Sequence, residues 1–501
     1  MKYDELFALL RRRGVLWQTA ELYGGAQGLY DYGPLGAALK RNVENAWVAW
    51  FPGLSHDYHV IDAAELLPEA VVRASGHLEN FTDPEISCDQ CHSVFRADTV
   101  LEQVRPEGVD GLTPAQIDEI VRARQVRCPK CGSLALTVPR AFNMMFGVEF
   151  GVTGKERAYL RPETAQSSYL AFARMWDVGR RALPLGIAVV GRAYRNEIAP
   201  RQGLFRLRAF TQAELQIFFD PTQFPVPFDA VREERLPVLR VARREAGEER
   251  PEWIAAGDLA GSGGLPEFYV YHLAETYRFL RDSLRYPPER IRFLEKSDAE
   301  RAFYNRIQFD AEVELESLGG FKEMGAVHYR GDYDLSRHSA GSGRDLSVTL
   351  PGGRRLLPHV LELTFGPDRN VWALADLHLA HEGERTVWHL PPYLAPVPVG
   401  VFPLMAKEHA SYALRLSETL AAAGIPNRYD DAGAIGRRYA RMDEAGTPYC
   451  LTVDGRTLED GTDRDTVTLR DRDSKAQERV PIADLTARLR PTLEPPRARR
   501  A

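Results

Sequence analysis

The sequence predicts a mixed α+β fold that ends in a separate, smaller α/β domain. Polar and apolar residues alternate along 205–219, and the strand-like run 186–198 reaches it through a short loop with Pro200 and Gly203. The two runs are therefore predicted to pair as an antiparallel hairpin. A Pro-rich break at 390–400 follows, and beyond it strand-like and helical runs alternate within about 100 residues, which favours a small α/β domain.

The remaining patterns complete this organisation. Residues 1–14 predict an amphipathic helix, and the other elements predicted for the first part are helices at 34–50, 267–286 and 371–381 and strands at 306–315 and 358–365. In the last part we expect a strand in VGVFPL, a helix over 409–424 that ends at Gly424, and strands in RYDD, TPYCLTVD and DTVTLRDRD. The predicted domains are 1–390, with an insertion at 82–140 and a charged surface excursion at 242–265, a linker at 391–400, and 401–501.

Composition excludes several classes of protein. The chain has 501 residues and a formal net charge of −6, so it is not a basic nucleic-acid binder over its whole surface. Its apolar runs are shorter than the ~18 residues that span a bilayer. The N-terminal apolar stretch is short and charged on both sides, unlike a secretory signal. We expect a cytoplasmic protein that does not enter the membrane.

Four of the five cysteines form two CxxC pairs, Cys88 with Cys91 and Cys128 with Cys131. Four thiolates at such spacing predict a tetrahedral structural Zn²⁺ site. The intervening residues 92–127, 36 in all, exceed the usual spacing, and TPAQIDEIVRAR at 113–124 predicts a helix between the pairs that begins at a Thr113 cap. The alternative is two unligated or redox-active pairs.

The run 205–219 separates its residues onto two faces. The odd positions are apolar apart from one threonine: Phe205, Leu207, Ala209, Thr211, Ala213, Leu215 and Ile217. The even positions carry polar residues around one aromatic: Arg206, Arg208, Phe210, Gln212, Glu214 and Gln216. The simpler interpretation is a hairpin with one solvated face. The alternative is a buried polar face whose groups are satisfied by a ligand.

This stretch resembles motif 2 of the class II aminoacyl-tRNA synthetases, with Tyr194-Arg195-Asn196-Glu197 before the loop and Arg206 to Phe210 after it. YDYGPLGAALKRN at 30–42 resembles motif 1, and FGPDR at 365–369 resembles the end of motif 3. SGHLENFTDP, FRAD, AYLRPETAQ and GRRYARMDEAGTPYCLTVD resemble further signatures, and together they most resemble the glycyl-tRNA synthetases.

The resemblance implies a fold and a reaction. The fold is the class II antiparallel sheet flanked by helices, with a zinc-binding insertion and a C-terminal α/β anticodon-binding domain. The implied enzyme joins glycine to ATP as glycyl-adenylate and transfers glycine to the 3′ end of tRNA(Gly). Motif 1, with Pro34, implies a homodimer. The reaction requires no protein nucleophile, since positioning and charge stabilisation suffice.

The resemblance also assigns an ATP site. Arg195 is expected on the α-phosphate, Glu197 on the adenine amino group and Arg206 on the γ-phosphate, while Phe210 and Arg369 enclose the adenine ring. Arg195, Glu197 and Arg369 are the predicted catalytic residues. The other predicted ATP contacts are Asn196, Phe205, Glu323, Met324 and Gly366. Mg²⁺ is expected with the polyphosphate, and Glu323 is its candidate ligand.

Glycine offers no side chain, so its site is expected to hold the ammonium and carboxylate groups. Glu163, Glu214 and Glu362 match the acidic positions of the family, and Arg96 matches a residue near the substrate carboxylate. Phe210 and Thr364 complete the predicted glycine site, and Arg330 is a further candidate. Motif 3 departs from the family pattern Glu-Pro-Ser, since Leu363 and Thr364 replace the proline and the serine.

Two other functions share parts of this pattern. A class II synthetase of another specificity, such as threonyl or prolyl, would have the same ATP residues. A non-catalytic accessory subunit, like that of mitochondrial DNA polymerase, would not need Arg195, Glu197, Arg206 and Arg369 together, and all four are present. In the last domain the candidate anticodon contacts are Arg437, Arg438, Arg441, Arg470 and Arg472.

Overall fold

A computed structural model describes residues 1–102, 104–105, 109, 112–152, 154, 156–200, 202–302 and 304–498. In the first part of the chain the helices are α1 (Tyr3–Arg12), α2 (Pro34–Trp50), α3 (Glu69–Ala74), α4 (His77–Asn80), α5 (Ala97–Leu101), α6 (Pro114–Ala123), α7 (Ala165–Val178), α8 (Val241–Glu245), α9 (Ala256–Ala260), α10 (Glu267–Arg278), α11 (Tyr333–Ser342) and α12 (Pro367–His378). The strands are β1 (Leu16–Gln18), β2 (Tyr30–Tyr32), β3 (Tyr58–Val60), β4 (Leu66–Pro68), β5 (Thr82–Ser87), β6 (Val94–Arg96), β7 (Arg140–Asn143), β8 (Phe146–Phe150), β9 (Glu156–Leu160), β10 (Leu185–Tyr194), β11 (Ala209–Phe219), β12 (Arg235–Leu239), β13 (Glu252–Ala255), β14 (Ile291–Glu295), β15 (Ile307–Leu315), β16 (Gly320–Gly331), β17 (Val348–Thr349), β18 (Arg355–Leu356), β19 (His359–Phe365), β20 (Leu379–Glu382) and β21 (Arg385–Trp388).

One large sheet organises this part of the protein. Its strand order is β13-β12-β14-β15-β16-β19-β11-β10-β3. The run from β14 to β10 is antiparallel throughout. The pairs β12–β14 and β10–β3 are parallel, so the sheet is mixed towards its edges. The predicted α+β class with a central antiparallel sheet is confirmed.

The predicted hairpin is confirmed as the pair β10–β11, which runs from Leu185 opposite Phe218 to Tyr194 opposite Ala209. The predicted strands were too long at their inner ends, because residues 195–208 form the connection. Gln202 and Gly203 both have positive φ there and turn the chain into a 3₁₀ segment. The Arg208 amide then donates to the Gly28 carbonyl instead of extending the hairpin.

Both faces of β11 are buried, so the interpretation of a solvated face is wrong. Ala213, Leu215 and Ile217 lie in the main apolar core. On the other face Gln212, Glu214 and Gln216 are at most 9% exposed. Helix α7 covers one end of this polar face, where the Tyr169 hydroxyl donates to Gln216 at 2.9 Å. A buried polar face requires partners for its groups, as the alternative interpretation stated.

Two other predictions need correction, and a third is refined. The predicted helix 371–381 is α12, which begins earlier because Pro367 occupies its first turn, and ends at His378 because Leu379–Glu382 pairs with β21. The predicted helix 267–286 is α10 followed by a π-helical turn, Phe279–Ser283. The predicted surface excursion 242–265 is mostly exposed, but it is not irregular, because it provides the edge strand β13, and Ala256 and Leu259 of α9 are buried in the main core.

The last part of the chain has its own sheet and its own apolar core. Its elements are β22 (Val399–Pro403), α13 (Ala406–Ala422), β23 (Asn427–Tyr429), α14 (Ile435–Ala445), β24 (Tyr449–Val453), α15 (Gly455–Leu458), β25 (Thr466–Asp471), β26 (Gln477–Pro481) and α16 (Leu485–Leu489). The order β23-β22-β24-β25-β26 is parallel in its first three strands and antiparallel in the rest. The predicted α/β pattern of this segment is confirmed.

Candidate active site

An open cleft lies where β11, β19 and β16 meet the connection between β10 and β11 and the start of α12. Most of the predicted ATP and glycine residues line it: Glu163, Arg195, Glu197, Phe205, Arg206, Phe210, Glu214, Glu323, Glu362, Thr364, Gly366 and Arg369. These residues are spread over more than 200 positions of the sequence. The antiparallel register brings them into one site.

The register explains how the polar residues meet. Strand β11 pairs with β19, and β19 pairs with β16, so Glu214 lies beside Thr364. In the next row of the same face, Gln216, Glu362 and His328 are adjacent on the three strands. Since side chains two positions apart share a face, the two rows form one polar patch at the floor of the cleft.

Three predicted residues do not line the cleft. Met324 is completely buried in the main core, because strand alternation directs Glu323 and Gly325 to the cleft and Met324 away from it. Only the backbone carbonyl of Met324 contributes near the cleft, where it accepts a hydrogen bond from the Gly366 backbone amide at 3.0 Å. Asn196 does not line the cleft, and its backbone N–H donates a hydrogen bond to the Met144 carbonyl at 2.8 Å.

Arg96 is the third. Its guanidinium pairs with Asp83 and Asp98 and lies 3.8 Å from Glu197. The structure therefore places Arg96 behind the predicted adenine-binding glutamate and not with the three carboxylates predicted for glycine. The short strand β6 ends at Arg96 and pairs with β5, which fixes this position.

Arginines and aromatic rings form one half of the cleft. The Arg195 guanidinium lies between the rings of Phe81 and Phe210, at 5.4 and 5.2 Å from their centres, and donates to the Pro162 carbonyl at 3.2 Å. Across the cleft the Arg369 guanidinium lies 6.0 Å from the Phe205 ring. Flat cationic and aromatic groups of this kind bind planar and anionic ligands.

Two carboxylates accompany these arginines. Arg369 donates to the Glu323 carbonyl at 3.0 Å and lies 3.2 Å from its carboxylate. Burial tends to raise the pKa of Glu323, but Arg369 outweighs it, so the pKa of Glu323 is lowered. Glu197 differs, since burial outweighs its neighbours Arg206 and Arg195 and raises its pKa. Among the described residues, Glu197 Oε2 is buried without a hydrogen-bond donor, so it can accept one from a ligand.

The other half of the cleft is a carboxylate cluster built around Arg330. The Arg330 side chain is 2% exposed and donates twice to Asp334, at 2.8 and 2.9 Å. It also donates to Glu362 at 2.8 Å and lies 3.8 Å from Glu163, while the Tyr304 ring stacks 3.8 Å from its guanidinium carbon. One cation therefore supports three carboxylates in a buried site.

Among the residues that the structure describes, no cation pairs with Glu214 in this cluster. The two carboxyl oxygens of Glu214 accept hydrogen bonds from the hydroxyls of Thr164 and Thr364, at 2.7 and 2.9 Å. Burial and the negative charges of Glu362 and Glu163 raise the pKa of Glu214 to about 8. For Glu163, burial is outweighed by His77 and Arg330, which lower its pKa. The cluster thus combines a carboxyl whose pKa is lowered, Glu163, with one whose pKa is raised, Glu214.

Several cleft residues were missed by the sequence reasoning. Tyr304, His328, Gly325 and Asp368 line the cleft, and His77 and Gln166 hold Glu163 from behind it. Gln212 and Thr211 carried a signal as members of the alternating strand 205–219, and Asp368, His77 and Gln166 lie within stretches that resemble family signatures, although no role was predicted for them. Tyr304, His328 and Gly325 reach the cleft through contacts between distant segments, which no local pattern indicates.

The four paired cysteines come together in the insertion. All four Sγ atoms lie within 4.8 Å of one another, with Cys88 3.6 Å from Cys131 and Cys91 3.7 Å from Cys128. Helix α6 lies between the pairs and begins at a Thr113 capping box, as predicted. In a regular tetrahedron with Zn–S bonds of about 2.3 Å the sulfurs are about 3.8 Å apart. The donor set and its spacing fit a metal ion.

Three of the candidate anticodon-binding arginines already make hydrogen bonds or ion pairs within the protein. Arg438, Arg470 and Arg472 are at most 7% exposed. Arg438 donates to the carbonyls of Pro403, Asp431 and Gly433, and Arg470 pairs with Asp443. Arg472 donates to the carbonyls of Gly446 and Leu390, which ties this domain to the chain before it. These three side chains stabilise the domain and are not available to a ligand.

Comparison with known proteins agrees with this architecture. The family described as tRNA synthetase class II core domain (G, H, P, S and T) matches residues 146–236, and the family described as anticodon binding domain matches 397–491. The fold is similar to that of prolyl-tRNA synthetase from Cryptosporidium parvum, with a TM-score of 0.58 at 15% identity over 98% of this chain and 75% of that one. Among the described residues, none of the helices has the length and apolar character to cross a membrane.

Sequence relatives extend over nearly the whole chain. The glycine--tRNA ligase of Thermococcus gammatolerans is 36% identical, with 98% of both chains covered. That of Methanothermobacter thermautotrophicus is 35% identical, with 99% of both chains covered. The class II resemblance predicted from the motifs is confirmed, and the chain belongs to the glycine--tRNA ligase family of class II aminoacyl-tRNA synthetases.

Proposed function

We propose that this chain joins glycine to tRNA(Gly) in two steps, by forming glycyl-adenylate from glycine and ATP and then transferring glycine to the 3′ end of the tRNA. The observation that carries the proposal is the division of one cleft into an arginine-rich half and a carboxylate half. A nucleotide and an amino acid can meet at the boundary between the two halves. The wide class II relationship supports the same conclusion.

The first half suits ATP. Arg195 is proposed to bind the α-phosphate, where negative charge grows as the glycine carboxylate attacks, and Arg206 the γ-phosphate. The Glu197 oxygen that lacks a hydrogen-bond donor among the described residues is proposed to accept a hydrogen bond from the adenine amino group. Phe210 and Arg369 would enclose the ring from two sides, with Phe205 supporting Arg369. These side chains position the reactants and neutralise charge, so no covalent enzyme intermediate is needed.

The second half suits the glycine ammonium group. Glu163 and Glu362 are fixed by Arg330, and Glu214 faces them across the floor of the cleft. An ammonium group that enters this cluster gains charged hydrogen bonds to the carboxylates. The same side chains fill the volume that a larger substrate side chain would need, so we propose that alanine is rejected sterically. Arg96 is not proposed as a substrate contact, because it lies behind Glu197.

A pH dependence follows from the high pKa of Glu214. Below a pH of about 8 the free enzyme carries this carboxyl in its protonated form, whereas the glycine ammonium prefers the carboxylate. Binding should therefore release a proton, and the apparent KM for glycine should fall as the pH rises from 6 to 8, by at most about tenfold per pH unit. Above the pKa the dependence should level off.

The measurement is ATP–pyrophosphate exchange across this pH range, with calorimetric titration of glycine in two buffers of different ionisation enthalpy to count released protons. Glu214→Gln is the matched variant, since it keeps a neutral side chain of the same shape and cannot release a proton. Its KM should be higher and should lose the dependence between pH 6 and 8. A flat profile in the unaltered enzyme would contradict the assignment of Glu214.

Two metal ions are proposed. Mg²⁺ would accompany the ATP phosphates and neutralise their charge, with the Glu323 carboxylate as its protein ligand. Zn²⁺ would be held by Cys88, Cys91, Cys128 and Cys131. Four thiolates leave no open coordination position, so the zinc would be structural and would hold the two halves of the insertion together.

The zinc proposal predicts one zinc ion per chain in freshly purified, reduced protein, and its loss in Cys128→Ser. Loss of the ion should destabilise the insertion, because a structural metal contributes directly to folding. Metal content can be measured by mass spectrometry and stability by thermal denaturation. Cys450→Ser is the matched control: this buried thiol lies on β24, outside the cluster, and its variant should retain the zinc. Zinc-free unaltered protein would exclude the site.

The proposed partners follow from the same family. The last domain is proposed to bind the tRNA anticodon, through exposed residues and not through Arg438, Arg470 or Arg472. A homodimer formed through the motif 1 segment 30–42 is proposed, and the enzyme is proposed to act in the cytoplasm.

The decisive experiment is ATP–pyrophosphate exchange with a panel of amino acids that includes glycine, alanine, serine, threonine and proline. Exchange that depends on glycine alone supports the proposal. Exchange with threonine or proline would point to another class II specificity. Absence of exchange with every amino acid, in protein that binds tRNA, would point to a non-catalytic accessory subunit.

A further inference from the structure

The carboxylate of Asp368 joins three segments at the wall of the cleft. One oxygen accepts the Tyr32 hydroxyl at 2.5 Å, and the other accepts the backbone amide of Thr211. Tyr32 belongs to β2 in motif 1, Thr211 to β11 and Asp368 to the first turn of α12. Asp368 is 2% exposed, so both of its oxygens depend on these protein donors.

Each end of this junction lies next to a residue proposed to contact adenine. Arg369 follows Asp368 at the start of α12, and Phe210 precedes Thr211 on β11. The bond from Asp368 to the Thr211 amide thus ties the start of α12 to the strand position next to Phe210. The Tyr32 hydroxyl adds the second donor and comes from a segment that does not itself line the cleft.

We infer that Tyr32 is a positioning residue for ATP: its hydroxyl holds Asp368 so that Arg369 and Phe210 keep the separation that the adenine ring requires. The inference rests on the proposed function, in which these two side chains enclose adenine. It extends that function to a residue of motif 1, remote in sequence from both walls of the nucleotide site.

The chemistry of the pair supports a stable junction. Burial and the negative charge of Asp368 raise the pKa of Tyr32 well above its ordinary value, so its hydroxyl stays a donor. Asp368 lies in the first turn of α12, where the helix dipole favours a carboxylate. Removal of the hydroxyl would leave a buried carboxylate oxygen without its donor, which favours a rearrangement of the α12 start.

The test is ATP–pyrophosphate exchange with full-length Tyr32→Phe. The expected result is a KM for ATP raised roughly tenfold, as for the loss of one hydrogen bond to a charged group, with the KM for glycine unchanged. Tyr30→Phe is the matched control. Tyr30 lies on the same strand two residues earlier, and its ring packs against Phe7 with centres 6.0 Å apart, so its variant should leave both KM values unchanged.

A double-mutant cycle with Asp368→Asn separates positioning from general loosening. If Tyr32 acts through Asp368, the two changes together should raise the KM for ATP by less than the product of their separate effects. An unchanged KM for ATP in Tyr32→Phe, an equal rise in both KM values, or independent effects in the cycle would overturn the inference. Arg369→Gln tests the underlying proposal separately: if it leaves the KM for ATP unchanged, the adenine assignment itself is wrong.

Discussion

Replacing Arg195 with alanine is expected to lower kcat for ATP–pyrophosphate exchange by roughly two to three orders of magnitude, the usual cost of removing a preorganised donor to developing charge. The Arg195 guanidinium is held by its contacts with the rings of Phe81 and Phe210 and by its hydrogen bond to the Pro162 carbonyl. Because the charge on the α-phosphate grows in the transition state, the loss should appear in kcat more than in either KM.

Two variants distinguish this role from a general charge effect. Arg195→Lys keeps the positive charge but lacks the planar fork, so it should recover only part of the lost rate. Arg180→Ala removes an exposed arginine that pairs with Asp57 on the surface, and it should retain normal exchange. Arg195→Ala that folds normally and exchanges at the unaltered rate would contradict the assignment of Arg195 to the α-phosphate.

The local fold was largely readable from the sequence. Alternation along 205–219 identified β11, and the apolar positions of 34–50 identified α2 with its bounds. Errors occurred where long-range contacts override local patterns. Residues 195–198 look like a continuing strand, yet they leave the sheet because the connection packs against residues near Gly28. The charged segment 242–265 is mostly exposed, as its composition predicts, but the composition does not show that it contains the edge strand β13, which pairs with β12.

The residues of the candidate site could be predicted from the sequence only where they belong to a family motif. Motif 2 predicted Arg195, Glu197 and Arg206, and all three line the cleft. Met324 was assigned to ATP although strand alternation beside Glu323 directs it to the core. The reason that a buried strand such as β11 tolerates Glu214 cannot be seen locally. The hydroxyls that satisfy it come from Thr164 and Thr364, 50 and 150 positions away.

Arg330 is expected to have the largest effect on stability. Its replacement with methionine removes a cation that contacts Asp334, Glu362 and Glu163 together, and Arg330 is only 2% exposed. Breaking a buried ion pair in this way costs about 3–5 kcal/mol of unfolding free energy. Glycine-dependent exchange should be lost as well, because Glu163 and Glu362 would no longer be held in place. Chemical denaturation and exchange assays measure the two effects.

The pH dependence of the stability loss separates electrostatics from packing. Arg330 helps to lower the pKa of Glu163, so that carboxylate stabilises the fold above its ordinary pKa of about 4.5, and this contribution is lost as the pH falls. Without Arg330 the buried carboxylates should protonate at higher pH. The difference in unfolding free energy between Arg330→Met and the unaltered enzyme should then shrink from pH 7 to pH 5, whereas a packing defect would give a constant difference.

Arg306→Met is the matched control. Arg306 pairs with Asp332 at 3.1 Å where both side chains are about half exposed, so its loss should cost at most about 1 kcal/mol of unfolding free energy at either pH.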